Sequence, residues 1–474
     1  MPTATRRPPA NWPHHDFPHP KGRRPFVNDA PTMLRGNDRR PLQRAVAVTA
    51  GLGPIFEIKL FGQKLVFVRD AALAAELCDE SRFEKKLAPG VAALREVAGD
   101  GLFTAYSDEP NWQLAHDLLR PAFTRAAMQG YHSTMLQVAG ELIDHLDRAT
   151  EPVDVSPALT KLTLETIGRT SFSKDFGSFT KTELDPFVAA MVRSLKRGQQ
   201  RGALAALPFA SLLLRRGKEE YAAGRAYIDS MIDDIIDQRL AGNDAGGQDL
   251  LGLMLHSADE ASGAKLDRLN IRYQILTFLV AGHETTSGAL SFAMYYLATQ
   301  PAVRAAAAAE TDAILGDDPD AEPSFEQVAK FRYLRRVLDE SLRLWPTAPG
   351  FARGPRQETV IGGKYRMTPS DWCIVMASEV HRDPKVWGDD ALEFDPDRFL
   401  PAAIKARPAH TYLPFGTGER ACIGRQFALH EAVLVLARLC HRYDFEADPD
   451  YELTISERLT LMPEGFRLSF TPRR

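Results

Sequence analysis

Phe415, Gly416, Gly418, Arg420, Cys422 and Gly424 fall within ten residues, and together they can present one sulfur atom to a metal. Gly418 permits a tight turn that aims backbone N–H groups at the sulfur, and Arg420 supplies a cation. Beyond Gly424 the apolar residues Leu429, Ala432, Val433, Leu436 and Cys440 recur at helical spacing to about Arg442, which sets Cys422 at a helix N-terminus. The helix dipole and the nearby donors are expected to lower the thiol pKa. Gly424 removes side-chain bulk where a porphyrin must lie close. The chemistry these types point to is a thiolate ligand for haem iron; a buried, inert cysteine between turn glycines is the plain alternative.

A second constellation lies in the helix predicted over 268–299, where Gly282, His283, Glu284, Thr285 and Thr286 interrupt an apolar run. Gly282 weakens the helix locally, and a threonine hydroxyl can bond back to the carbonyl four residues earlier, opening a pocket for dioxygen and water. Glu284 and Thr285 then suit a proton relay to bound oxygen, an ordinary kinked helix being the alternative. Glu340 and Arg343 lie three apart on a helix that stops at Pro346, so they share a face and can pair. The segment Pro396-Asp397-Arg398-Phe399 can bring the guanidinium of Arg398 to the same carboxylate. That network braces the cysteine loop and is not catalytic. Trp112 and His116, one helical turn apart, carry donors for an anionic partner such as the haem propionates, and Arg353 and Arg420 add cations that suit carboxylates.

These side chains need a scaffold. The chain has 474 residues, 44% apolar and 25% charged, enough for one large core or two domains. A net charge of −4 gives no basic footprint for nucleic acid. Cys78, Cys373, Cys422 and Cys440 form no CxxC pair, which disfavours disulfides and structural zinc and fits a reducing cytoplasm. No apolar run approaches the roughly 20 residues of a membrane span, and Met1 to Arg24 has no hydrophobic segment, so neither an anchor nor secretion is expected. Residues 1–30 carry seven prolines and read as an extended arm, with 31–474 as one haem-binding domain. Alternation around Gly62 predicts a strand pair over Ile55–Val68. Helical spacing dominates over 71–78, 110–123, 129–148, 156–172, 186–197, 218–240, 268–299 and 302–315; short strands return at 360–363, 372–377 and 458–470, and 243–248 reads as a loop.

The cysteine loop, the Ala281–Thr286 helix, the Glu340-x-x-Arg343 pair and the Pro396-x-Arg398-Phe399 segment, in this order along the chain, resemble the cytochrome P450 superfamily. Cys78–Phe83, Gly99–Thr104, His381–Asp383, Ala421–Glu431 and Pro463–Phe466 are most similar to the haem domain of self-sufficient bacterial fatty-acid hydroxylases of flavocytochrome type. The resemblance runs from about Gly53 to Phe470. It implies a mainly α fold with a small β region, holding haem b (iron protoporphyrin IX) between the long oxygen-binding helix and the cysteine-loop helix. Thiolate ligation in that superfamily is known to favour O–O cleavage, so this property comes with the resemblance rather than from the residues. By matching position, Phe103 sits over the haem face, with Leu94, Ala98, Ala281, Ala348 and Leu459 around an apolar substrate.

Two departures stand out. Where the fatty-acid hydroxylases hold the substrate carboxylate with an Arg and a Tyr, this chain has Gln63 and Phe67, and Lys59, Lys64 or the run Arg193, Lys196, Arg197 and Arg201 are the available substitutes. Arg353, common in the superfamily as a propionate ligand, is usually lacking in the fatty-acid hydroxylases. The activity implied is hydroxylation of an unactivated C–H bond of a largely apolar molecule, a fatty acid or a derivative, with O2. The sequence to Arg474 contains no flavin-binding region, so electrons are expected from a flavodoxin, ferredoxin or flavin reductase, the chain being either a separate enzyme or a piece of a fusion, with Arg332, Arg335 and Arg336 as a docking patch. The competing readings are a peroxide-dependent hydroxylase or dehydratase and a haem-based sensor or carrier, both of which fit the Glu284–Thr285 pair less well.

Overall fold

In the computed structural model, which describes residues 12, 14–33, 40–181, 186–188, 190–191, 193, 218–242, 249–457 and 460–473, helices form the body and short strands lie at one side. Alternation around the Phe61–Gly62 turn gives the expected hairpin, Ile55–Leu60 against Gln63–Val68. It opens a five-stranded sheet that continues with Cys373–Val375, Phe351–Pro355 and Phe83–Lys86. Only the contact of Gln63–Val68 with Cys373–Val375 is parallel. The register of the last pair sets Lys85 opposite Arg353.

Helices Ala71–Leu77, Pro110–Leu119, Arg125–Asp147, Val155–Phe172, Lys218–Ala241, Arg268–Thr299 and Pro301–Leu315 stand where apolar spacing puts them. Asp70, Thr124 and Asp267 cap three of them by accepting first-turn N–H groups. Pro41–Val48, Pro89–Ala98 and Leu250–His256 are further helices that the periodicity did not show. Of the helix expected over 186–197, the described residues from 186 to 193 are helical; the rest, like the loop 243–248, lies outside the described residues. The strand expected over 458–470 is instead divided into Ile455–Glu457, Leu461–Pro463 and Arg467–Pro472, the last two separated by a turn at Gly465 with φ 68°.

The long helix Arg268–Thr299 runs through the main core beside Val155–Phe172. A Cβ on Gly282 would stand 3.1 Å from Ile167, so the glycine lets the two helices approach; there Thr163 donates across to the carbonyl of His283 at 2.8 Å. The proline-rich beginning needs correction as an arm. Trp12 is fully buried, its backbone N–H donating to Asp371 at 2.7 Å and its indole N–H to the carbonyl of Trp372 at 2.9 Å. Phe17 packs edge-on against it, and Arg23 pairs with Asp29 and Glu57. Trp12 and Phe17 bury in the cluster that includes the sheet, whereas Phe26 is exposed, and burial of a large ring outweighs the lack of regular structure.

Candidate active site

Two glycines shape the cysteine loop, Gly416 and Gly418, both at φ 68°. The loop closes when the N–H of Cys422 donates to the carbonyl of Phe415 at 2.8 Å. A one-turn 3-10 segment, Gly418–Arg420, precedes the cysteine, and the helix Arg425–Arg442 starts after Gly424. Cys422 is exposed, but to a cavity rather than to the outer surface. Enclosure by the cavity walls pushes its thiol up, and the backbone N–H of Gly424 and the guanidinium of Arg425 offset this only in part. The lowered thiol expected from the helix terminus is therefore not what the protein alone produces. A metal ion deprotonates a coordinating thiol outright, so a thiolate here would require a bound metal.

The cavity measures about 320 Å³, within the range of small-molecule sites. Cys422 and Phe415 form one side. The long helix contributes Thr277, Ala281, Thr285 and Thr286 to the lining, and Phe103 and Ala348 add to it. The Thr285 hydroxyl donates to the carbonyl of Ala281 at 2.8 Å, the back-bond its position predicts, and the residue lines the cavity.

Trp112, His116, Arg353 and Arg420 also reach this cavity, and Lys85 joins them. The rings of Trp112 and His116 stack at 5.3 Å, and the Arg420 guanidinium lies 4.5 Å from the Trp112 ring centre. Burial, with Arg353 nearby, pushes Arg420 down to about 10. Burial likewise lowers Arg353, and it depresses Lys85 well below the usual amine value with help from both guanidiniums. Arg353 Nε and Arg420 Nη1 are buried without a hydrogen-bond partner. Three crowded cations, two of them with an unpaired donor, on the wall of a mostly apolar cavity with one thiol, fit a flat apolar group that carries carboxylates and offers a metal. Haem is such a group. The space for a Cβ at Gly424 adds to the fit, since its nearest protein atoms are an ordinary 3.7 Å and 4.0 Å away.

A match to the family described as cytochrome P450 covers residues 18–470. This chain belongs to the cytochrome P450 family. Among curated proteins it is 42% identical to a bifunctional cytochrome P450/NADPH–P450 reductase of Bacillus subtilis, over 97% of this chain and 43% of that protein. It is 41% identical to a bifunctional cytochrome P450/NADPH–P450 reductase of Bacillus cereus, over 97% of this chain and 42% of that protein. A self-sufficient cytochrome P450 monooxygenase of Exserohilum turcicum is 39% identical over 91% of this chain and 40% of its own length. The chain thus spans about two fifths of the length of these relatives. No helix among the described residues is long and apolar enough to cross a membrane.

In this cytochrome P450 Glu340, Arg343 and Arg398 come together. Glu340 and Arg343 are fully buried and joined by two bonds of 2.7 Å. Arg343 also donates to the carbonyls of His381, Ala391 and Glu393. Arg398 approaches Glu340 at 3.6 Å and ties to the carbonyl of Trp387 at 2.6 Å. Two links reach the loop itself: the N–H of Leu413 donates to His381 Nε2 at 2.7 Å, and the Tyr412 hydroxyl donates to Asp339 at 2.9 Å.

Other expected residues stand elsewhere. Glu284 is buried behind the cavity wall, where Thr460 donates to it at 3.4 Å. Leu94 and Ala98 pack in the main core and do not line the cavity. Leu459, Lys196, Arg197 and Arg201 lie outside the described residues, and Arg193 is exposed. Gln63 and Phe67 are not on the cavity wall; Phe67 stacks on Phe56, and Lys64 pairs with Glu57 at 2.7 Å. Arg335 and Arg336 are engaged with Asp339 and Asp397, which leaves Arg332 as the unengaged, exposed member of the suggested docking patch. Lys85 was missed because its strand neighbours, Glu84 and Lys86, read as an ordinary charged edge.

Proposed function

We propose that this chain is the haem-thiolate domain of a monooxygenase that hydroxylates an unactivated C–H bond of a largely apolar molecule. The observation that carries the proposal is the thiol of Cys422 opening into the same cavity as the Thr285 hydroxyl. Haem held there would supply the centre at which O2 is activated, with two electrons from a donor and two protons, so that one oxygen atom enters the substrate C–H bond and the other leaves as water.

The chain's residues have separate tasks. Cys422 provides the sulfur ligand, while Lys85, Arg353, Arg420, Trp112 and His116 seat the propionates. Thr285 Oγ1 holds a proton at the cavity wall, and Glu284, one residue earlier, is its supply from the far side of the helix. Phe103, Ala281 and Ala348 give the substrate an apolar surface that excludes water. Haem b, O2, a flavin reductase or a similar electron donor, and a cytoplasmic site of action complete this reading. Relatives that carry an NADPH–P450 reductase in the same polypeptide support the flavin donor. A fatty acid or a fatty-acid derivative is the substrate class, with Gln63 and Phe67 placing weight on the uncharged derivatives.

The test is the difference spectrum of the reduced, haem-loaded protein with carbon monoxide. A Soret band displaced far to the red is expected; its absence overturns the proposal. Turnover with a reductase set against turnover with peroxide then separates the monooxygenase from a peroxide-dependent hydroxylase.

A further inference from the structure

Four successive carbonyls, from Leu102 to Ala105, each accept a bond from a cation. Arg420 Nη2 donates to Leu102 at 3.2 Å and to Ala105 at 2.8 Å. Lys85 Nζ donates to Phe103 at 2.5 Å, and Arg95 Nη1 donates to Thr104 at 2.6 Å. The turn is held on its other side too, because the N–H of Leu102 donates to Gln274 of the long helix at 3.0 Å. A Cβ on Gly101 would stand 2.3 Å from Thr277 Oγ1, so the chain lies directly against that helix. Between these fixed points Phe103 projects into the cavity.

Arg95 differs from the other two cations. It sits in the last turn of Pro89–Ala98 and is not on the cavity wall. Its guanidinium grips Glu109 through two bonds of 2.6 Å and 2.9 Å and lies 4.4 Å from the ring centre of Tyr106. Glu109 in turn accepts the N–H of Tyr106 at 2.7 Å. One side chain thus ties the Thr104 carbonyl to the start of the next helix.

We propose that Arg95 is a positioning residue for the Phe103 ring, and so decides which molecules pass that ring. The proposal rests on the haem-thiolate reading of the cavity. Thr104 is fully buried, and loss of a charge-assisted bond leaves its carbonyl unpaired in a place water does not reach. The turn then relaxes at the Thr104–Ala105 peptide, one residue beyond Phe103, and the ring shifts. Lys85 and Arg420 hold the same turn, but both also face the cofactor, so only Arg95 separates the two roles.

The experiment uses haem-loaded protein and 4-phenylimidazole, which must pass the Phe103 ring to reach the iron. Its Kd is read from the Soret displacement in four proteins: the parent, Arg95→Gln, Phe103→Ala and the double variant. Arg95→Gln is expected to change Kd by about fivefold where Phe103 is present, and by less than about twofold where it is alanine. An equal change in both backgrounds, or none in either, overturns the proposal. If Arg95→Gln does not fold, Arg95→Lys, which keeps the charge but not the fork on Glu109, is read in the same two backgrounds. The carbon monoxide spectrum of the parent protein is recorded first. Its failure counts against the haem-thiolate reading, whereas a normal spectrum with no dependence on Phe103 counts against Arg95 alone.

Discussion

The Glu80 carboxylate occupies the space that a Cβ on Gly418 would need. A methyl group there would stand 1.9 Å from the Glu80 carboxyl carbon, and the same carboxylate accepts the N–H of Glu419 at 2.9 Å and 3.1 Å. The turn that precedes Cys422 is thereby pinned to the segment following helix Ala71–Leu77. Gly418→Ala is expected to weaken haem retention and the carbon monoxide signature. Adding Glu80→Ala removes the clash but not the positive φ of 68°, which disfavours a residue with a Cβ by roughly 1–2 kcal/mol. Partial recovery of haem loading in the double variant is the expected result; a double variant no better than the single one would show that the contact is irrelevant.

Arg343→Met takes both short bonds from Glu340 in a fully buried site, where only the Asp395 N–H at 2.9 Å and Arg398 at 3.6 Å remain. Such a change is expected to lower stability by about 3–5 kcal/mol, read from urea unfolding. Replacing both residues by apolar ones should be less costly than replacing Arg343 alone. If the two effects simply add, the pair is not coupled.

Glu431 is buried, its oxygens lack a hydrogen-bond partner of good geometry, and burial pushes its carboxyl up to about 8 from 4.5, with Thr166 opposing. Between these values the folded chain keeps a proton that the unfolded chain has lost. The contribution to stability is therefore complete below about pH 4.5 and disappears as pH rises through 8. Glu431→Gln should flatten this slope, gaining at most about 4 kcal/mol relative to the parent between pH 5 and pH 8. A difference in urea midpoint that stays constant across this range contradicts the shift.

Thr285→Ala removes the hydroxyl from the cavity wall while leaving the cations and the thiol in place. Haem loading is expected to be unchanged, whereas product formed per electron pair should fall by roughly tenfold or more. Measuring reductant consumed against product gives the answer, and undiminished coupling excludes Thr285 from the relay.

Local spacing made the chemistry of Cys422, Thr285, Glu340 and Arg343 legible, because each motif is short and its geometry is set by one turn or one helix. The long amphipathic helices were legible for the same reason. Side chains that act through distant partners were not. Trp12 meets Asp371, Glu80 meets Glu419, and Lys85 meets Arg353 only after the sheet and the cysteine loop are assembled. The direction of the Cys422 thiol shift was likewise misjudged, since a helix terminus can be read from sequence but the walls that exclude water cannot.

The sequence alone determined the glycine-flanked cysteine, the polar break in the long helix, the pairing of Glu340 with Arg343 and the family they indicate. Only the tertiary structure decided that Glu284 faces away from the cavity, that Leu94 and Ala98 belong to the core, and that three cations converge beside Trp112. The physical reason is that hydrogen bonding within a helix or turn depends on neighbours a few residues away, whereas burial and charge crowding depend on which surfaces the whole chain brings together.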